Sequence, residues 1–362
     1  MGNWYFDRKT QLKLLQFNIP IAVQTTVLRM LPVLIVVITL NIFSVVEGQK
    51  CTEVGDREVE VGKMCNEKDK DCYTVFIRKM EFPRGRWLVV LYSLYDGRPD
   101  VLGESFISLL DPQGESIKPN GTYCVDLKSW KIDRRTVVVS YIARMIAAPF
   151  IMNTLSLNSS DSGKQVLEIG LGGGTFDMGL HELKPDVNIT AVDIDEVAKK
   201  VAFKYFGVED SKNHHSVIED GVKFVNGAKA KGRKFDVVAI DACDDYYWLP
   251  CPGESLRSEN FLRTLKEIMT DKGTLTVSFL SRPGVNHSKW HEGLRNYQKV
   301  FPTCFEFKGL SNNFVLICVP YKVEETLESR QVYKDRVDEV ISALNLTATL
   351  QGYAVLNFLN NY

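Results

Sequence analysis

Residues 166–175 read VLEIGLGGGT, an apolar run that leads directly into a cluster of glycines. Gly170, Gly172 and Gly174 lie where a predicted strand ends and a predicted helix begins. Glycine at such a position permits a tight turn and lets a ligand approach the backbone N–H groups of the helix N-terminus. Because dinucleotide-binding folds and many ordinary turns share this pattern, the residues around it have to indicate what it binds.

The segments that follow the glycines alternate between short apolar runs and amphipathic stretches, which is typical of βαβ units around a parallel sheet. The predicted strands are 165–170, 188–193, 214–218, 235–241 and 273–279, and the predicted helices are 175–183, 195–206, 221–230, 257–270 and 287–300. A β-hairpin is predicted at 303–309 and 314–320, where the chain leaves no room for a crossover helix. Five strands with helices followed by a hairpin is the layout of a class I methyltransferase sheet. We therefore predict an α/β fold with a Rossmann-like seven-stranded sheet whose last strand runs antiparallel.

Carboxylates follow the ends of successive predicted strands. Glu168 lies two residues before the first glycine, where a carboxylate suits a ligand that bears an ammonium group. Asp193 ends the second strand, about twenty residues past the glycines, where it can accept hydrogen bonds from both ribose hydroxyls. Asp220, with Gly221 after it, opens the next helix, where it can hold an exocyclic adenine amine. Asp241 ends the fourth strand and faces the same crevice, because open α/β sheets bind ligands beyond the carboxyl ends of their strands.

Each of these acids alone could be a helix N-cap. The four together predict a nucleoside site. The glycine turn also lacks a basic residue, which argues against a ligand with a pyrophosphate such as NAD.

The same residues resemble a known family. The ExGxGxG pattern of 168–174, AVDID at 191–195, EDG at 219–221 and the DxxD of 241–244 are similar to the spermidine-synthase-like branch of S-adenosylmethionine-dependent methyltransferases. The chain also resembles the C-terminal half of the elongation factor 1-alpha methyltransferases of the methyltransferase-like group, over about residues 140–320. The resemblance implies S-adenosyl-L-methionine as the cofactor and an unknown acceptor, such as an amine of a protein or a small molecule. It implies cofactor contacts from Glu168, Gly170, Gly172, Gly174, Asp193, Asp220, Gly221 and Asp241.

Methyl transfer requires in-line positioning of a nucleophile and, for an amine, sometimes a base that removes a proton. We predict Asp241 and Asp244 as the catalytic residues, with Asp245 as an alternative base. An aminopropyltransferase of polyamine biosynthesis is the second interpretation, because Asp241 and Asp244 match that branch too. Against it, Gly173 stands where those enzymes carry an acid, and Tyr141 is not followed by Gln or His. A non-catalytic lumenal module that binds a nucleoside or serves a structural role is the third.

A charge-free run occupies residues 30–46, which read MLPVLIVVITLNIFSVV. It is long enough for a short membrane span or for the apolar region of a signal peptide. Basic residues precede it, so the positive-inside rule predicts a cytosolic segment 1–29 and a lumenal or extracellular remainder. We predict a single-pass membrane protein, or a secreted one if 30–48 is a cleaved signal; a buried core helix is the alternative. Five Asn-x-Ser/Thr sequons and all the cysteines follow the run, which agrees with that location.

Composition narrows the function further. The 362-residue chain has 44 Lys+Arg against 45 Asp+Glu and a formal net charge of −1. This balance argues against a nucleic-acid-binding coat protein or a polybasic membrane binder. No cysteine pair has CxxC spacing, so we predict no metal site. Association of two copies of the chain into a homodimer is left open.

A small β-rich domain is predicted at 49–140, from alternating segments such as YTVFIRKMEF, RWLVVLYSLY and TVVVSYI. The methyltransferase-like domain is predicted at 141–322, and a C-terminal helix and tail at 323–362. In the predicted hairpin, a short loop centred on Ser311 places Cys304 opposite Cys318, where a disulfide is feasible. A one-residue bulge in that loop would instead put the two thiols on opposite faces.

Overall fold

The computed structural model describes residues 52–55, 58–66, 72–80, 86–95, 98–99, 105–110, 123–125, 131–244, 251–280, 287–309, 313–350 and 353–359. Residues 52–362 form one compact unit. The predicted cytosolic segment 1–29 and the predicted membrane segment 30–48 lie outside the described residues. Within the described ranges, no helix combines the length and the hydropathy that a membrane span requires.

Two antiparallel sheets form the N-terminal part of this unit. Their strands are β1 (Thr52–Val54), β2 (Val59–Cys65), β3 (Cys72–Met80), β4 (Arg86–Tyr95), β5 (Arg98–Pro99), β6 (Ser105–Leu110), β7 (Tyr123–Val125) and β8 (Lys131–Asp133). Strands β1 and β7 pair with each other, and the six-stranded sheet has the order β2-β3-β4-β6-β8 with β5 on β4. The β-rich character predicted for this region is therefore observed.

One predicted strand of this region is wrong. The segment TVVVSYI contains no strand, and the first described helix, α1 (Ser140–Ile151), begins inside it. The apolar spacing downstream decides the outcome, because every side chain from Ile142 to Ile151 is buried. A helix whose side chains are apolar on nearly all sides is typical of a core, which is where α1 lies.

A large mixed sheet of eight strands forms the rest of the unit. Its strands are β9 (Gln165–Ile169), β10 (Asn188–Asp193), β11 (His214–Ile218), β12 (Phe235–Ile240), β13 (Met269–Leu280), β14 (Thr303–Lys308), β15 (Asn313–Val319) and β16 (Val355–Phe358). The order is β11-β10-β9-β12-β13-β15-β14-β16. The first five strands are parallel and β15 runs antiparallel to β13, as predicted for a methyltransferase-like sheet. Strand β16 adds an eighth strand on β14 that the sequence did not predict.

The helices cover both faces of this sheet. They are α2 (Thr175–Leu183), α3 (Glu196–Tyr205), α4 (Gly221–Ala230), α5 (Glu259–Glu267), α6 (His287–Val300), α7 (Leu327–Ala343) and α8 (Thr347–Leu350), with a 3₁₀ turn at Glu254–Arg257. Successive strand residues point to opposite faces, so Val166 packs with α1, α2 and α7 while Leu167 packs with α4, α5 and α6. Burial on both faces explains why these strands are almost continuously apolar.

The predicted register of the hairpin is confirmed. Cys304 of β14 is paired directly with Cys318 of β15, and the two Cα atoms are 4.1 Å apart with the sulfur atoms bonded. Two more disulfides link Cys65 to Cys72 and Cys243 to Cys251. The domain boundaries at 140 and 322 stay predictions.

Candidate functional site

The glycine turn connects β9 to α2 and is tightly packed at its glycines. Gly170, Gly172 and Gly174 have positive φ angles of 97°, 51° and 72°. A Cβ atom on Gly170 would lie 2.5 Å from the carbonyl oxygen of Asp241 and 2.8 Å from the backbone nitrogen of Ala242. The turn is therefore wedged against the chain that leaves β12, and only glycine fits there.

Asp193 holds this turn. Its Oδ2 accepts hydrogen bonds from the N–H groups of Leu171 at 2.8 Å and Gly172 at 3.3 Å, and its Oδ1 accepts one from Asp195 at 2.8 Å. Burial raises the pKa of Asp193, although these backbone bonds act in the opposite direction. The predicted ribose acceptor thus also fixes the glycine turn, and Oδ1, which accepts only one of these bonds, retains a second lone-pair direction for a ligand hydroxyl.

Glu168 is the most buried acid of the site. Its residue is 1% exposed, and its Oε2 is buried without a hydrogen-bond partner. Burial raises the pKa of Glu168 well above its ordinary value, and the charges of Asp177, Asp241 and Asp193 add to the increase. A carboxyl group in this environment is best satisfied by a cationic ligand group.

Asp241 lies at the carboxyl end of β12 and is partly exposed. The hydroxyl of Tyr141 donates to its Oδ2 at 3.1 Å, and Ser278 provides a second side-chain hydrogen bond. Burial raises the pKa of Asp241 to about 6, against the effect of these two bonds. A carboxylate with a pKa near neutral pH can accept a proton from a reacting group.

Asp220 occupies the N-cap of α4. Its Oδ1 accepts a hydrogen bond from Lys223 N at 2.8 Å, and its side chain is exposed. A Cβ atom on the next residue, Gly221, would lie 2.6 Å from Cγ2 of Ile169, so this helix packs closely on the end of β9. The capping role is observed, and the adenine contact of Asp220 stays a prediction.

Asp244 anchors a loop. Its Oδ2 accepts a hydrogen bond from Glu254 N at the start of the 3₁₀ turn, and a Cβ atom on Gly253 would lie 2.6 Å from its Oδ1. The neighbouring residue Cys243 forms a disulfide with Cys251. This anchoring explains the acid in structural terms, so the role of Asp244 as a base stays a prediction; Asp245 lies outside the described residues.

Two apolar residues of the site were missed by the sequence analysis. Ile194, which follows β10, is 71% exposed, and Ile218, the last residue of β11, is 40% exposed. Both adjoin Asp193, because Ile194 follows it in the chain and Ile218 is its register partner. Large exposed apolar side chains next to an acid that is predicted to bind ribose offer a surface on which a flat base can pack. Their position directly at the strand ends was the available signal.

A buried ion pair also escaped prediction. The Nε2 atom of His214 lies 2.8 Å from Oδ2 of Asp177, and both side chains are fully buried. Nδ1 of His214 lies 3.0 Å from the carbonyl oxygen of Glu209. Burial acts to lower the pKa of His214, but the hydrogen bond and charge of Asp177 outweigh it and leave the pKa above its ordinary value. The pair joins α2 to β11 beneath the glycine turn.

The six-stranded sheet contacts the site directly. Ser105 of β6 accepts a hydrogen bond from Gly173 N at 2.9 Å, and Tyr73 of β3 donates to Asp195 Oδ2 at 2.7 Å. Arg134 donates to the carbonyl oxygen of Gly207. These partners are distant in sequence from the glycines, so no local pattern could indicate them.

Comparison with known proteins agrees with this arrangement. Residues 149–321 match the spermine/spermidine synthase domain. Over these residues, somewhat less than half of the chain, the protein is similar to the spermidine-synthase-like family. An eEF1A lysine and N-terminal methyltransferase homolog of Drosophila melanogaster is 32% identical over 206 residues, which are 55% of this chain and 30% of that protein. A polyamine aminopropyltransferase of Vibrio vulnificus is 28% identical over 204 residues, which are 56% of this chain and 64% of that protein.

Two solved structures show the same fold. Human methyltransferase-like protein 13 in complex with SAH has 24% identity and a TM-score of 0.50, over 58% of this chain and 92% of that one. A probable spermidine synthase from Corynebacterium glutamicum has 13% identity and a TM-score of 0.54, over 82% of this chain and 90% of that one. The chain spans 30% of the Drosophila methyltransferase and 64% of the Vibrio aminopropyltransferase, so the activity of either relative does not follow from these likenesses.

Proposed function

We propose that this chain is an S-adenosylmethionine-dependent methyltransferase of the spermidine-synthase-like family. The observation that carries the proposal is the buried, unpartnered Oε2 of Glu168 beside the glycine turn, with Asp177, Asp193 and Asp241 as its charged neighbours. Such a site stabilises a cation at the position where the amino acid part of this cofactor would lie. The names of the methyltransferase relatives support the same activity.

The residues present fit the cofactor. Glu168 would hold its ammonium group, Asp193 its ribose hydroxyls and Asp220 its adenine amine, while Ile194 and Ile218 would pack against the base. The chemistry available with this cofactor is transfer of a sulfonium methyl group to a nucleophile.

Asp241 is the better of the two proposed catalytic acids. It is held by Tyr141 and Ser278, it is partly exposed, and its pKa of about 6 suits removal of a proton from an ammonium acceptor near neutral pH. One oxygen of Asp244 accepts a hydrogen bond from Glu254 N, so we propose that Asp244 holds the start of the 3₁₀ turn as well as supplying charge. The acceptor itself is proposed to carry an amine.

Isothermal titration of the purified chain with S-adenosylmethionine, its decarboxylated form and S-adenosylhomocysteine tests the proposal. Asp193→Ala should weaken binding of S-adenosylmethionine by about 1–3 kcal/mol, the scale of a lost hydrogen bond to a charged group. Asp186→Ala is the matched control, because Asp186 is an exposed acid before the opposite end of β10. Wild-type protein that binds none of the three nucleosides would refute the proposal and favour the structural module.

Ile194→Ala separates binding from folding. Its side chain is 71% exposed, so we expect the free energy of unfolding to change by less than about 0.5 kcal/mol. Loss of apolar contact with a bound base should weaken binding by about 1–2 kcal/mol. Val332→Ala is the control, because Val332 is 57% exposed on α7. Equal affinities of the two variants would contradict the assignment of the base to this surface.

An aminopropyltransferase is the second candidate, favoured by the family match and by the Vibrio relative. Against it, a Cβ atom on Gly173 would lie 2.7 Å from Cβ of Ser105 and 2.9 Å from Cδ1 of Phe206, so no acid fits at that position. Tighter binding of decarboxylated than of intact S-adenosylmethionine would favour this candidate.

We also propose that residues 30–48 insert into the membrane, with 1–29 in the cytosol and the remainder in the lumen or outside. Basic residues before the apolar run and the sequons after it support this topology. Asn158 and Asn345 are exposed, whereas Asn188 is half-buried in β10, so glycans are expected at the first two. Endoglycosidase treatment of cell-expressed protein should lower its apparent mass. An unchanged mass, with the C-terminal part open to protease in intact microsomes, would refute the topology.

A further inference from the structure

Glu168 lies in the middle of the large sheet. Its register partners are Ala191 on β10 and Ala239 on β12, so both neighbouring strands offer only small apolar side chains beside it. The residue is 1% exposed, and Oε2 is without a hydrogen-bond partner. A carboxylate in such a place is costly unless a cation or several donors accompany it.

The charged groups that act on Glu168 come from three elements and are all acidic. They are Asp177 from α2, Asp193 from the end of β10 and Asp241 from the end of β12. Each of the three has donors of its own. Asp177 is bonded to the buried imidazole of His214, Asp193 to the backbone of the turn, and Asp241 to Tyr141 and Ser278.

These donors make it easier for the three neighbours than for Glu168 to keep a negative charge. Closely spaced carboxyl groups share their protons, and the proton resides on the member with the least compensation. In the empty site that member is Glu168.

We propose that binding of the cofactor releases one proton from Glu168, so that the empty site holds a neutral carboxylic acid and the occupied site a carboxylate. The inference rests on the proposed function, because it requires a ligand with an ammonium group beside Glu168. The O–H bond of the carboxyl group breaks, its electron pair stays on the oxygen, and the proton passes to the buffer. No other bond changes.

The coupling between proton release and cofactor binding fixes how affinity changes with pH. Because the bound form carries fewer protons than the empty form, affinity rises with pH, by up to about tenfold per pH unit wherever Glu168 is protonated in the empty site. Ligands that share the adenosine but carry no positive charge should not show this dependence.

Isothermal titration at pH 7 in phosphate and in Tris, whose ionisation enthalpies differ, measures the number of protons released. We expect about one proton for S-adenosylmethionine with the wild-type chain and about none with Glu168→Gln. The uncharged nucleoside 5′-methylthioadenosine is the matched ligand, and it should release about none from the wild type. The comparison of the two ligands on the wild type keeps the proposal testable even if Glu168→Gln does not fold.

The outcomes separate the two proposals. Binding of S-adenosylmethionine without proton release would overturn this inference and leave the proposed function standing. Proton release that persists in a folded Glu168→Gln variant would also overturn it, because another group would then be the donor. A wild-type chain that binds none of the adenosyl ligands would overturn both.

Discussion

Replacement of Gly170 by alanine tests the tight fit of the glycine turn against β12. Gly170 has a φ of 97°, a region that side chains rarely adopt, and the strain costs about 1–3 kcal/mol. The new Cβ atom would also lie 2.5 Å from the carbonyl oxygen of Asp241 and 2.6 Å from its carbonyl carbon. Ordinary contacts are about 3.5 Å or more, so backbone has to move by roughly 1 Å. Overpacking of this kind costs about 1–3 kcal/mol more.

Gly232→Ala is the matched control. Gly232 also has a positive φ, of 63°, but a Cβ atom added to it would meet no other atom within 4 Å. Gly232→Ala should therefore lower the free energy of unfolding only by the backbone strain, about 1–2 kcal/mol. Urea denaturation of both variants gives the two free energies of unfolding, and Gly170→Ala should lose about 1–3 kcal/mol more than Gly232→Ala. Equal losses would refute the close approach of the turn to β12.

Three further expectations concern buried groups. The pKa of Glu168 is higher in the folded chain than in the unfolded chain. Its contribution to the free energy of unfolding is therefore fully present below the unfolded pKa of about 4.5 and is lost as pH rises through the folded pKa. Denaturant titrations should thus show wild type losing stability relative to Glu168→Gln as pH rises above the unfolded pKa of Glu168. His214→Gln leaves Asp177 buried without its partner and should cost about 3 kcal/mol below pH 6.5, with a smaller cost once pH exceeds the raised pKa of His214. Non-reducing peptide maps should link Cys304 to Cys318, a bridge worth about 3 kcal/mol, and free alkylated thiols at both would contradict the pairing.

The strands and helices around the glycine turn could be predicted from the sequence because local signals define their ends. Helix α2 begins at Thr175 after Gly174, and α4 begins after the Asp220 cap, at the residues that the sequence indicated. Strand β10 also has its predicted bounds. In each case a turn or cap residue stands directly beside an apolar run, so the pattern is unambiguous.

Other features depend on contacts that no local pattern encodes. Strand β16 is four residues long and exists because it pairs with β14, so its sequence alone carried no signal. The alternation in TVVVSYI suited a strand, but no strand forms there and α1 begins inside the segment, where the helical apolar spacing of 141–157 starts. The acids of the site were predicted from their strand ends, whereas the His214 partner of Asp177 lies 37 residues away.

The bond from Gly173 to Ser105 has a consequence for the order of folding. It joins residues 68 apart, and the bond from Tyr73 to Asp195 spans 122. Contacts of such separation form only after slow loop closure, whereas the strand, turn and helix around Gly173 are local. The glycine turn can therefore take its rough shape early but reaches its final geometry only when the six-stranded sheet has docked. Affinity for a nucleoside thus reports on completion of the whole unit. A chain that starts at residue 149 would lack the Ser105 hydroxyl, which accepts the hydrogen bond from Gly173 N.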